Sequence, residues 1–169
     1  IKHKTKHYPI NRLYNGIQLL PNVPIYVALG NQKKFTEAST VLHNLYLLDK
    51  TDQEKLYYAA SYAVNGQDYD TALKYYEELK NINYSGEGTA YMATNKASGQ
   101  EEGFGSIDER KRSISMGTHE KPRTEEIPSK RGEIYKNMAL ILVDQGKIAE
   151  AKKAVADARV TNPDDSSLM

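Results

Sequence analysis

Three short segments constrain this chain more than anything else in it. Lys34-Phe35-Thr36-Glu37-Ala38, Asp68-Tyr69-Asp70-Thr71-Ala72 and Lys147-Ile148-Ala149-Glu150-Ala151 each read polar, large apolar, polar, polar, Ala, with Ala149 the one exception at a polar place. Ala38 and Ala72 are 34 residues apart; Ala72 and Ala151 are 79 apart, one further period with 45 residues inserted. Self-similarity at such a period marks a repeat architecture, in which each unit buries its apolar face against its neighbours.

The third copy carries Tyr135, Met138, Ala139, Leu142, Gly146, Ile148, Ala151, Val155, Ala158 and Pro163. On these residues it resembles the tetratricopeptide repeat (TPR), a 34-residue pair of antiparallel helices. Ala139, Ala151 and Ala158 are small where two helices cross, and Tyr135, Leu142 and Val155 are large where the space between them must be filled. Gly146 stands where the first helix stops, and Pro163 ends the second. The second copy matches through Leu56, Ala59, Ala60, Ala63, Tyr69, Ala72, Tyr76 and Leu79, with Tyr69 and Tyr76 at core positions of the motif and Gly66 one place before the usual glycine. The first is degraded: Phe35, Ala38, Leu42 and Leu45 match, but Pro24 restricts the preceding helix to a start at Pro24 and an end near Gln32. Leu13, Gly16, Ile17, Leu19, Pro21 and Asn22 read as the close of a still earlier repeat. The resemblance covers roughly residues 10–83 and 130–163. It implies an all-α fold, a TPR-like α-solenoid of antiparallel helix pairs.

Residues 84–129 interrupt the helical period and hold six of the eleven glycines. Gly88–Asn95 reads as a strand, Lys96–Gly99 as a turn, and 100–105 as a returning strand with Phe104 on its apolar face, together a small β-hairpin. Ser106 precedes Glu109 by three, a capping box that opens a short helix to about Met116 with Gly117 as its stop. Residues 118–128, with Pro122 and Pro128, read as irregular. Gly88-Thr89-x-Tyr91, Gly117-Thr118-His119 and Pro128-Ser129-Lys130 resemble a group of bacterial exported TPR proteins with an insertion between repeats, which implies a cell-envelope or periplasmic location. The expected organisation is a basic tail at 1–9, helices at 10–83, the insertion at 84–129, and a third repeat with the start of a following helix at 130–169.

Composition excludes several functions. The 169 residues include no Cys, which removes disulfide frameworks, thiolate metal sites and Cys nucleophiles. No stretch approaches the length of a membrane span. The net charge of +1 divides into +6 over the first 36 residues (Lys2, Lys4, Lys6, Arg12, Lys33, Lys34) and −5 over the rest. Six charges so widely spaced make a weak patch, read as a solvated tail rather than a nucleic-acid contact. The chain begins at Ile1 and ends in what looks like a helix start, Asn162 to Met169, so it reads as a piece of a longer protein.

Candidate chemistry is sparse. His3 and His7 have metal-ligand spacing on a helix, but no third ligand is evident and Lys4 and Lys6 repel a cation. His43 and His119 each stand alone. Ser85–Thr89 and Gly103–Ser106 are glycine-rich without the Lys-Ser/Thr ending of a phosphate loop. Glu101-Glu102, Asp108-Glu109 and Glu125-Glu126 read as solvated pairs, and Arg110-Lys111-Arg112-Ser113 as a solvated helix face. No enzyme, cofactor or metal is expected.

In the TPR family the first helices of successive repeats line the concave face. Carried over, this resemblance places Tyr57, Ser61, Val64 and Asn65 of the second repeat, and Lys136, Leu140, Val143 and Asp144 of the third, in a groove for a protein or peptide. The family's clamp for a C-terminal carboxylate is not expected: Lys136 and Asn137 are present, but Val23 and Val27 occupy the matching sites of the first repeat. The expected function is a non-catalytic protein-interaction scaffold. Two alternatives stand beside it. One is a small-ligand or enzymatic site between the insertion and the helices, using His119, Glu120, Lys121 and Arg123. The other is a structural spacer in an envelope assembly.

Overall fold

The computed structural model describes residues 23–169. The expected basic tail, His3 and His7, and the partial repeat before Asn22 lie outside the described residues. The chain forms two compact units that divide between Leu79 and Lys80.

The first unit holds α1 (Ile25–Asn31), α2 (Phe35–Leu48), α3 (Glu54–Asn65) and most of α4 (Tyr69–Asn81). Pro24 is the N-cap of α1, and its carbonyl accepts from the N–H groups of Val27 and Ala28 at 3.0 and 3.2 Å. Its missing N–H is one that the first turn leaves unpaired anyway. Leu29, Ala38 and Val41 form a buried cluster, with Ile25, Tyr26, Leu45 and Tyr62 partly buried against it. Helices α2 and α3 meet through small residues: Ala38, Ala59, Ala60 and Ala63 are fully buried, and the Ser39 hydroxyl donates to the Ala59 carbonyl at 2.8 Å.

The period seen in the sequence is carried by the backbone of three turns. Lys33, Gln67 and Gly146 have φ of 59°, 60° and 76°. Each donates its N–H three residues back, to Gly30, Val64 and Val143, at 2.9 Å. The next residues, Lys34, Asp68 and Lys147, donate five residues back to Leu29, Ala63 and Leu142 at 2.9, 2.9 and 2.7 Å. This double closure of a helix C-terminus uses one left-handed residue. The recurring alanines then close the first turn of the following helix: Ala38, Ala72 and Ala151 donate to Lys34, Asp68 and Lys147 at 3.0 Å in every case. Gly66, one position before the left-handed residue, has φ of −83°. A Cβ there would lie 3.0 Å from Thr36 Oγ1, so this glycine serves close packing. The expected core role of Tyr69 does not hold. It is 41% exposed and Ile148 is 53% exposed, because the first residue of these second helices lies at the rim of the turn; Phe35 at the matching place is half-buried.

The second unit corrects the expected all-α solenoid. It pairs helices with a three-stranded antiparallel sheet of β1 (Gly88–Asn95), β2 (Glu101–Phe104) and β3 (His119–Ile127), in the order β2-β1-β3. The hairpin of β1 and β2 and the helix α5 (Ile107–Ser115) fall where the sequence places them. The Ser106 hydroxyl accepts from Glu109 N–H at 3.2 Å, and the Glu109 carboxylate accepts in return from Gly105 N–H at 3.0 Å. The stretch read as irregular is instead the strand β3, which pairs with β1 at His119 and Glu120 and from Arg123 to Ile127. Its pattern hides this, since eight of its nine residues are exposed. Main-chain pairing holds it, and Pro122 is accommodated where the register shifts, between the pairs Met92–Arg123 and Thr94–Glu120. Lys121, at φ of 51°, makes the bend.

Register puts Tyr91, Ala93, Asn95, Glu102, Phe104, His119 and Thr124 on one face of the sheet. There α5 contacts all three strands. The remaining elements are α6 (Arg131–Asp144), α7 (Ile148–Thr161) and a 3-10 helix at Ser166–Leu168 that packs on both. Ile134, Tyr135, Met138, Ile141, Leu142, Ala151, Ala154, Ala158 and Leu168 are buried.

Candidate functional site

The eight expected groove residues fall in two units and meet different fates. In α3, Tyr57 is buried, its ring edge-on to Tyr58 with centroids 5.4 Å apart. Tyr57 therefore offers no open ring to a ligand, contrary to its expected place on a groove wall. Its neighbour Tyr58 is the exposed one, at 41%, and burial together with the Glu54 carboxylate pushes its hydroxyl pKa up. Ser61 is half-buried and donates back to the Tyr57 carbonyl at 3.1 Å. Val64 is half-buried, and Asn65 is exposed.

In α6 all four residues are exposed. Lys136, Leu140, Val143 and Asp144 follow one another by four, three and one positions, which places them on one stripe of the helix. Leu140 is 59% exposed and Val143 49%. The opposite stripe, Ile134, Tyr135, Met138, Ile141 and Leu142, forms the core of the unit. Two apolar side chains thus face water between a cation and an anion.

His119 is neither alone nor exposed. It is 8% exposed at the start of β3, with Phe104 edge-on at a centroid distance of 5.1 Å. Its Nε2 lies 2.9 Å from Glu102 Oε2 and its Nδ1 lies 2.9 Å from Thr118 Oγ1. Glu102 Oε1 accepts from Asn95 Nδ2 at 2.8 Å. Hydrogen bonds from His119 and Asn95 hold the Glu102 carboxyl below its ordinary pKa. Both ring nitrogens are engaged by the protein's own groups. Sequence reasoning read Glu102 as one of two solvated acids. The antiparallel register brings it across β1 to His119, and only strand order could have revealed that.

Of the other residues of the alternative site, Glu120, Lys121 and Arg123 are exposed and do not converge on His119. Arg123 binds Glu101 through Nε and Nη2 at 2.9 and 2.8 Å and Glu125 through Nη1 at 2.6 Å, on the opposite sheet face. The Arg123 hydrogen bonds hold the Glu101 carboxyl below its usual range. Arg110, read as part of a solvated helix face, is 8% exposed. Its guanidinium lies 5.3 Å from the Tyr91 ring centroid, and Nη1 donates to the Arg123 carbonyl and to Thr124 Oγ1 at 2.5 and 2.9 Å. A polar cleft of about 390 Å³ opens between the sheet and the C-terminal segment, with Glu87, Glu126, Asp164 and Asp165 on its walls.

Among the described residues no group of three or more His, Asp or Glu is placed to hold a metal ion. Nor is any helix among them long and apolar enough to cross a membrane. The chain matches no protein-family model, no curated protein and no solved structure.

Proposed function

We propose that this chain is a non-catalytic interaction module built on TPR-like helix pairs, and that it binds a protein or peptide. The observation that carries the reading is the exposed stripe of α6. Leu140 and Val143 stand out of a helix whose other large apolar residues are buried, flanked by Lys136 and Asp144. Exposed apolar side chains with a charged rim have the composition of a small binding patch. The identical turns after α1, α3 and α6 support the repeat reading, because they reproduce one helix-turn-helix closure at the sequence period. A cell-envelope location belongs to the same proposal and rests on the resemblance of the inserted segment alone.

The test is a comparison of variants. The tagged chain is used to capture partners from extracts of its native cell, beside Leu140→Glu/Val143→Glu and a control, Lys153→Glu, on the exposed face of α7. The expected result is a partner retained by the wild type and the control and lost by the double variant, with unchanged circular dichroism. Capture that survives the double variant would remove α6 from the reading.

A further inference from the structure

We propose that His119, Thr118 and Glu102 form a proton-coupled latch, in which the charge on the His119 ring decides whether the Thr118 hydroxyl closes the C-terminus of α5. The argument is a proton inventory. Thr118 Oγ1 lies 2.9 Å from the Ser113 carbonyl and 2.9 Å from His119 Nδ1. It has one hydroxyl proton and cannot donate to both.

With the ring charged, every group is satisfied. Nε2–H donates to Glu102, Nδ1–H donates to Thr118 Oγ1, and the hydroxyl donates to the Ser113 carbonyl. With the ring neutral, one nitrogen has no proton. The Glu102 carboxylate, which also takes the Asn95 Nδ2–H, accepts and cannot donate, so the remaining proton stays on Nε2. Nδ1 then becomes an acceptor and draws the Thr118 hydroxyl away from Ser113. The Ser113 carbonyl keeps the Thr118 N–H, at 3.2 Å. One of the last carbonyls of α5 thus gains or loses a partner with the ring proton.

The charged groups around the ring are engaged elsewhere or exposed; Lys96 of the β1–β2 turn is exposed and donates its N–H to the Thr118 carbonyl at 3.0 Å. From β2 the ring meets Glu102, and from β1 the uncharged Asn95 reaches that same carboxylate. On α5, Glu109 is turned to Gly105 N–H and Arg110 to Tyr91, the Arg123 carbonyl and Thr124, while Asp108, Lys111 and Arg112 are exposed. On β3, Glu120 is exposed and lies 3.8 Å from Lys121. The latch sits at the turn through Gly117 between α5 and β3, so it couples a single proton to the junction of helix and sheet.

NMR of the intact chain, followed over the pH range in which the ring changes charge, tests it. The expected results are a neutral ring with its proton on Nε2, read from the two ring nitrogen shifts, and amide shifts at Ser113 to Thr118 that follow the His119 midpoint. Thr118→Val should abolish the amide response while the ring still titrates, and Thr118→Ser should restore it. A neutral ring protonated on Nδ1 would overturn the latch. So would an amide response that persists in Thr118→Val, because the ring charge would then act through its field and not through the hydroxyl. If Thr118→Val does not fold, the ring nitrogen shifts and Thr118→Ser decide the matter.

Discussion

Arg131 Nη1 stands 3.0 Å from Asp165 Oδ2, and the two side chains are only 12% and 5% exposed. The pair joins the first residue of α6 to the segment that follows α7. Ser129 Oγ donates to the same carboxylate oxygen at 2.5 Å, and Ser167 donates its N–H and hydroxyl to the other at 3.0 and 2.6 Å. Arg131 also donates to the Asn83 carbonyl at 3.1 Å, so one guanidinium ties together both ends of the unit.

This carboxylate sets an acid limit. Burial alone would push the Asp165 pKa up, but hydrogen bonds from Ser129, Ser167 and Arg131 outweigh it and bring the value to about 2 from 3.8. The folded-state value is the lower one, so the stabilisation is full above about pH 4 and is lost as the pH falls towards about 2. A shift of this size is worth about 2 kcal/mol. Asp165→Asn should flatten that part of the acid unfolding curve. It should also lower stability at pH 7 by about 3 kcal/mol, since Arg131 is left buried without its partner. Urea unfolding at several pH values measures both.

Gly132 is needed for the same contact. A Cβ at this position would collide with the Ser167 carbonyl. Gly132→Ala should therefore displace the 3-10 helix, expose Leu168 and cost about 1–3 kcal/mol despite the better helix propensity of Ala. In a chain shortened to end at Pro163 the same substitution should instead stabilise by up to about 1 kcal/mol. Thermal melts of the four proteins separate the two effects.

The three left-handed turn residues differ in strain. Gln67 pays a steric cost at φ of 60° that Gly146 at 76° does not. Gln67→Gly should stabilise by up to about 1 kcal/mol, and Gly146→Ala should destabilise by about 1 kcal/mol. Gly66→Ala should also destabilise, for the separate reason that its Cβ meets Thr36 and Phe35. Denaturant midpoints with unchanged slopes are the expected readout.

The contact of α2 with α3 has no spare volume. Ala59 is fully buried, and its carbonyl takes the Ser39 hydroxyl at 2.8 Å. Ala59→Leu should cost about 2–3 kcal/mol by overpacking, whereas Ser39→Ala should cost only about 1 kcal/mol, the net value of one hydrogen bond.

The helical hairpins were legible because their signals are local. The recurring alanines, Gly146, Pro24 and the Ser106–Glu109 box act within one or two turns of their own position, and a template of fixed period finds them. The β1–β2 hairpin was legible for the same reason, through the turn at Lys96–Gly99. Strand β3 was not. It shows no apolar alternation, carries a proline, and pairs with residues about thirty positions earlier.

The candidate site divides in the same way. The exposure of Lys136, Leu140, Val143 and Asp144 follows from helical period once the buried stripe of α6 is known. Tyr57 and Tyr58 are adjacent, and which of them faces water depends on the rotation of α3 against its neighbours, which periodicity leaves open by one position. His119 could be singled out by its chemistry, but its partner could not, because Glu102 reaches it only across an intervening strand.

By itself the sequence determined where helices start, stop and turn, and that they come in pairs at a 34-residue period. Tertiary structure alone decided that a charged stretch becomes a strand, that Arg131 finds Asp165, and that a histidine, a threonine and a glutamate share one set of protons. The first kind of information is written in steric and capping preferences between near neighbours. The second depends on strand order and on which faces remain uncovered, and these are settled only when distant segments compete for the same surface.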